Sequence, residues 1–158
     1  MRKGLVVGAE RAAAAGMDGS DIEAIPEDKV ILFEEGIPGL PDCHRFVILD
    51  LAPDSAFQIL QSVDNPEISM IVTVPWLFFP DYAPELSDLE QASLGIAGPE
   101  DVALFCSVVL TPDDTDTVFV NLMGPFVVNP NTRRGCQFVL AGSGYPLRAP
   151  VKLPKVPP

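Results

Sequence analysis

Apolar residues in this chain come in short runs, each closed by a cluster of Gly, Pro, Asp or Asn. Residues 30–33 (VILF) end at Glu34-Glu35-Gly36-Ile37-Pro38-Gly39, where two glycines and a proline specify a tight turn. Residues 45–49 (RFVIL) stop at Ala52-Pro53-Asp54-Ser55. Residues 57–63 (FQILQSV) and 68–74 (ISMIVTV) flank Asp64-Asn65-Pro66-Glu67, a combination that predicts an antiparallel hairpin. Residues 101–110 and 117–123 are two further strands, with a loop at 111–116 between them. Residues 126–128 and 136–140 flank an Asn-Pro-Gly-rich turn at 129–135. β-Branched and aromatic residues dominate these runs, which favours strands over helices.

One window reads differently. Ser87-Asp88-Leu89-Glu90 matches a capping box, in which serine and glutamate three residues apart satisfy each other's backbone N–H groups, and Gly95 or Gly98 supplies a stop. A short helix is expected near residues 87–95, with Leu86, Leu89, Ser93 and Ile96 as a narrow apolar stripe against the sheet. About eight short strands with regular turns and one helix predict an all-β, antiparallel barrel or sandwich. Residues 1–20, rich in Ala and Gly, read as a flexible extension, with a short helix at 10–16 as the alternative. Residues 145–158 carry five prolines and read as an extended tail.

Composition narrows the class. A chain of 158 residues makes one domain and buries roughly 70% of its unfolded surface. With 47% hydrophobic residues and mean hydropathy of +0.27, it is a folding composition. Its 17 prolines leave no room for long helices. The net charge of −12 is unevenly spread: 21 of the 22 acids lie between Asp18 and Asp116, where Lys29 and Arg45 are the only bases, and no acid follows Asp116. A central segment this acidic repels phosphate backbones, so direct nucleic-acid binding is not expected. Three widely spaced cysteines suit neither a disulfide framework nor a zinc site. Neither a signal-peptide apolar region nor a run long enough to span a membrane is present, and the expected compartment is the cytoplasm.

The catalytic inventory is thin. His44 is the only histidine, and its neighbour Cys43 points to the opposite face if both lie on a strand. Gly142-Ser143-Gly144 lacks the strand-to-helix setting of a nucleophile elbow. Asp113, Asp114 and Asp116 lack the glycine and glutamate spacing of a calcium loop, and no nucleotide fingerprint is found. No enzyme activity, cofactor or metal is expected. What stands out is Pro75 to Tyr82, with Trp76, Phe78, Phe79 and Tyr82 framed by Pro75 and Pro80 and followed by Glu85, Asp88 and Glu90. These aromatics either pack as core beneath the helix or form an acid-rimmed anchor for another protein.

Four ordered blocks resemble the flagellar assembly factor FliW family: residues 33–40, 57–66, 75–82 and 121–137, within a likeness running from about residue 31 to 150. The resemblance implies a small antiparallel pseudo-barrel over residues 21–150 capped by a helix, with 151–158 as a Pro-rich tail. It also implies a cytoplasmic factor that binds flagellin and antagonises the RNA-binding translational repressor CsrA, so that flagellin level controls flagellin translation. Carried over on that basis, the partner-binding residues are Asp64, Asn65, Glu67, Trp76, Phe78, Phe79, Asp81, Tyr82 and Glu85. An apolar groove edged by Trp76, Phe78 and Phe79 would take a flagellin helix, and the acids would face CsrA. Asp21-Ile22-Glu23 resembles the family's opening strand, after an unusually long lead. Cys136 and the second arginine of Arg133-Arg134 depart from the family's usual turn. The rival reading is an acidic nucleic-acid mimic that occupies the RNA or DNA site of a regulator directly.

Overall fold

Where the apolar runs alternate or are β-branched, strands form. The computed structural model describes residues 5–6, 27–40, 42–111 and 113–153. Its strands are β1 (Leu5–Val6), β2 (Ile31–Leu32), β3 (Arg45–Asp50), β4 (Phe57–Ser62), β5 (Ser69–Thr73), β6 (Glu85–Leu86), β7 (Ala103–Thr111), β8 (Asp114–Val120), β9 (Phe126–Asn129), β10 (Arg134–Gln137) and β11 (Ala149–Lys152). Nine of them make one sheet in the order β11-β8-β7-β5-β4-β3-β2-β10-β9, and β1 pairs with β6 outside it. Strand β7 also pairs with β9 through Ala103, Leu104 and Phe105. The sheet therefore closes through seven strands into a ring, while the second half of β7 leaves it to pair with β8. The fold is all-β and ring-like rather than a true barrel.

The eight expected strands are all present, with adjustments. The pair β2 and β10 is parallel, joined at Leu32 and Arg134, in an otherwise antiparallel sheet. The loop expected at residues 111–116 contracts, because β8 begins at Asp114 and pairs with β7 directly. Residues 138–140 do not extend β10. In the stretch read as an extended tail, Ala149–Lys152 is a strand on β8, and the Leu153 N–H donates to the Asp116 carbonyl at 2.6 Å. Within residues 1–20, Leu5–Val6 is paired to β6, so that part of the expected extension is a strand. The possible helix at 10–16 and the strand-like Asp21-Ile22-Glu23 lie outside the described residues.

Helix α1 (Asp88–Ser93) starts as the capping box requires: the Glu90 N–H donates to Ser87 Oγ at 3.1 Å and the Ser87 N–H to Glu90 Oε1 at 2.9 Å. Its buried face departs in part from the expected stripe, at Leu89 and Ser93. Leu89 is 81% exposed, whereas Gln91 is buried and donates from Nε2 to the Leu86 carbonyl at 2.9 Å. Leu86 and Ile96 of the stripe are buried as expected, and Leu94, just past the helix, joins them. The reason lies at the C-terminal end. Gly95, at φ +68°, and Ile96 donate back to the carbonyls of Ala92 and Gln91, and the buried Asn129 side chain donates to the Leu94 carbonyl at 2.8 Å. That clamp sets the helix rotation and leaves Leu89 outward.

The core inside the ring is centred on Phe33, Phe46, Phe105 and Phe126, all fully buried, with Phe33 edge-on to Phe46 at 5.2 Å and to Phe126 at 6.3 Å. Full burial of side chains of this size contributes about 1.5–3 kcal/mol each. Glycine is required at 135, because a Cβ there would lie 2.9 Å from the Phe33 ring. The turn before β3 is equally specific. Pro38 followed by Gly39 at φ +88°, closed by the Leu40 N–H on the Ile37 carbonyl at 2.9 Å, is a type II turn.

Candidate partner-binding surface

The aromatic segment folds locally through its two prolines. Pro75 opens a single 3-10 turn (Pro75–Leu77), and the N–H groups of Phe78 and Phe79 both donate to the Pro75 carbonyl. A second turn brings the Tyr82 N–H to the Phe79 carbonyl at 3.0 Å. The aromatics then separate by depth. Trp76 is buried and donates from Nε1 to the Tyr82 carbonyl at 2.6 Å. Tyr82 is buried too, and its hydroxyl donates to the Leu122 carbonyl at 2.7 Å. Burial raises the Tyr82 pKa, with the neighbouring Cys106 adding to the effect, so the hydroxyl is a fixed donor. Trp76 and Tyr82 are thus core residues that hold the segment, and the surface is made by Leu77, 59% exposed, and the half-buried Phe78 and Phe79. Phe78 stacks on Phe57, centroids 5.9 Å apart.

Beside this segment lies a groove of about 320 Å³ lined by Phe78, Phe79, Asp81, Tyr82, Leu122 and Tyr145. Tyr145 packs edge-on against Tyr82 at 4.7 Å, and its hydroxyl accepts the Ala83 N–H at 3.1 Å. On its other side a wider depression of about 500 Å³ is lined by Ala83, Glu85, Glu90, Val139, Leu140 and Tyr145. Tyr145 is shared by both, so apolar side chains and the carboxylates of Asp81, Glu85 and Glu90 occupy one neighbourhood. Tyr145, Leu122 and Val139 were not among the residues singled out from sequence, whereas Glu90 was, as one of the acids after the aromatic segment. Tyr145 sits 62 positions from Ala83 in a turn with no periodic pattern, where a local reading has nothing to register.

Asp64, Asn65 and Glu67 are elsewhere. Phe57 pairs with Thr73 at one end of the β4–β5 hairpin and Gln61 with Ser69 at the other, beyond which the turn begins. At about 3.3 Å per residue the turn is more than about 13 Å along the strand from Phe57, on which Phe78 stacks. The turn is built by its own polar groups. Gln61 Nε2 donates to the Pro66 and Ile68 carbonyls, Ser62 Oγ accepts the Asn65 N–H, and Asn65 Oδ1 accepts the Glu67 N–H. Asp64 accepts the N–H groups of His44 and Arg45 at 2.8 and 2.9 Å. Slight burial acts against its charge, but those two donors and the Arg45 cation outweigh it and hold the pKa below the ordinary carboxylate value. Eight of the nine residues therefore form two groups, an aromatic groove with Asp81 and Glu85, and an acidic turn, while Trp76 lies buried beneath the groove rather than at its edge.

The residues considered for chemistry are placed structurally. His44 Nδ1 lies 3.0 Å from the Phe33 carbonyl, and Cys43 is buried while His44 is exposed. Ser143 closes a turn through its N–H on the Leu140 carbonyl. Among the described residues no group of three or more His, Cys, Asp or Glu is arranged to hold a metal, and no helix is long and apolar enough to cross a membrane.

Residues 20–151 match the family model described as FliW protein. The chain is 40% identical over 124 residues to a flagellar assembly factor FliW of Caldicellulosiruptor saccharolyticus, covering 78% of this chain and 80% of that one. It is 41% identical over 126 residues to that of Geobacillus kaustophilus, covering 79% and 85%. A solved crystal structure of the flagellar assembly factor FliW superposes with a TM-score of 0.76 at 35% identity, covering 84% of this chain and 92% of that one.

Proposed function

The chain belongs to the FliW family of flagellar assembly factors, and from that premise we propose that it acts by binding: it captures flagellin in the cytoplasm and, when free of flagellin, antagonises the repressor CsrA. The observation that supports this reading is the groove around Tyr145, where Phe78 and Phe79 adjoin Asp81, Glu85 and Glu90. An apolar floor with one-signed carboxylates along its side suits an amphipathic helix, as an unassembled flagellin terminus would present, by helix-in-groove docking. CsrA, which must offer positive charge to RNA, would meet the acidic surface, and a bound chain of net charge −12 would repel RNA from it.

Calorimetric titration of the full chain into monomeric flagellin and into CsrA tests this. Phe79→Ser is expected to weaken flagellin binding by about thirtyfold, the effect of losing a central anchor. The double variant Asp81→Asn/Glu85→Gln is expected to weaken CsrA binding and reduce its salt dependence. Equal flagellin affinity for Phe79→Ser, with an unchanged thermal melt, would move the flagellin site elsewhere. Competition with RNA separates antagonism from mimicry. A mimic is displaced completely by excess RNA, whereas an antagonist acting from a separate site lowers RNA affinity to a limit that added RNA does not remove.

A further inference from the structure

Three of the six basic residues in the described part of the chain converge on one cleft, although the molecule as a whole is strongly acidic. In the sheet, Leu32 of β2 pairs with Arg45 of β3 on one side and with Arg134 of β10 on the other. Side chains in register across neighbouring strands share a face, and the opposite face is marked by the buried pair Ile31 and Phe46. The outward face therefore carries a row of Arg45, Leu32 and Arg134, with the two arginine positions about 10 Å apart from strand spacing. Leu32 at its centre is 39% exposed.

Arg133 completes the cluster. It adopts φ +57°, uncommon for a residue with a side chain, and donates from its guanidinium to the Glu27 carbonyl. Its own carbonyl accepts the Leu32 N–H at 2.8 Å, which locks the turn to β2. The cleft so formed, about 260 Å³, is lined by Val30, Leu32, Arg45, Thr132, Arg133 and Arg134, with Glu27 as its only carboxylate. Arg45 donates one N–H to Glu27 at 2.5 Å, and Arg134 is paired with Glu34, which lines an adjoining pocket together with Leu32 and Arg134 itself. Each guanidinium has five N–H donors, so these bonds orient the forks while leaving donors for a ligand.

We propose that this Arg-Leu-Arg row is a docking site for an acidic segment of another protein, one that presents an apolar side chain flanked by carboxylates. Charge complementarity picks out the carboxylates, and the exposed Leu32 at the centre of the row picks out the apolar residue between them. A phosphate backbone fits less well, because it has no apolar group to set against the exposed Leu32. The site is built from residues separate from the Tyr145 groove and does not depend on the function proposed for that groove.

The test is fluorescence anisotropy of the full chain with a fluorescein-labelled peptide that alternates glutamate and leucine. Controls are the same peptide with glutamine for glutamate, and a single-stranded RNA of equal length. Expected results are salt-sensitive binding of the acidic peptide, about tenfold weaker binding by Arg45→Gln/Arg134→Gln, and weaker binding by Leu32→Ser. Arg133→Gln and Leu32→Ser, single changes at exposed positions, give a readout should the double variant melt early. Three outcomes would overturn the proposal: equal affinity for the glutamine peptide, tighter binding of RNA than of peptide, or unchanged peptide affinity in folded Leu32→Ser and Arg133→Gln. If sedimentation shows the chain pairing with itself through this face, a second copy is the occupant and the proposal of a foreign segment fails.

Discussion

The carboxylate of Asp64 is bonded to two backbone N–H groups of the neighbouring strand before any partner arrives, and Asn65 is bent onto its own turn in the same way. The family resemblance marked both as candidate contacts, and geometry gives both a structural task as well. The task carries a pH signature. The folded-state pKa of Asp64 is held below its unfolded value, so the stability it contributes is complete above the ordinary carboxylate pKa. That contribution is lost as pH falls through the lower, folded-state value. Asp64→Asn is accordingly expected to be less stable than the parent at pH 7 in urea unfolding, with the difference shrinking as pH falls below the ordinary carboxylate range. A pH-independent difference would mean that the charge of Asp64 plays no part. Trp76 and Tyr82 make the same point with apolar residues. Their abundance in one short segment was visible in sequence, but which ring faces solvent depended on carbonyls at Tyr82 and Leu122 that only the fold brings within reach.

Among the elements, α1 divides cleanly into a legible half and an illegible one. The capping box joins residues three apart, so its pattern is printed in the chain, and the helix starts where Ser87 and Glu90 require. Ser87→Ala is expected to cost about 0.5–2 kcal/mol in urea unfolding, the usual value of an N-cap side chain, and retention of full stability would show the cap to be idle. The buried face was legible only at its flanks, Leu86 and Ile96, because a six-residue helix has too few positions for a period of 3.6 to be decisive between Leu89 and Gln91. Asn129, 35 residues from Leu94, sets the rotation instead. The strands show the same division. The hairpin of β4 and β5 followed from its turn residues, whereas the parallel contact of β2 with β10 joins segments about 100 residues apart and has no local turn to announce it.

For the molecule as a whole, closure is the property that matters. Strand β7 is held by β5, β9 and β8, so exposing its centre requires the ring to open. Cys106 sits at that centre, fully buried, and burial pushes its thiol pKa up to about 12 despite a bond with Tyr82. Its reaction with a thiol reagent at neutral pH is expected to proceed only at the rate of global unfolding and to accelerate with urea along the unfolding transition. Labelling of Cys106 that is fast and independent of urea would show that β7 opens locally. The charge distribution is also a property of this scale: acids fill the middle of the sequence, yet in space Arg45 from that middle stands beside Arg133 and Arg134 from the acid-free end. By itself the sequence determined the strands, the turns, the helix cap and the imbalance of charge, because these rest on the chemistry of residues within a few positions of one another. Only the tertiary structure decided that Leu89 faces water and Gln91 does not, that Tyr145 closes the aromatic groove, and that three arginines meet around Leu32. Those outcomes are contacts between distant segments, whose geometry is set by closing the ring and leaves no periodic trace in the chain.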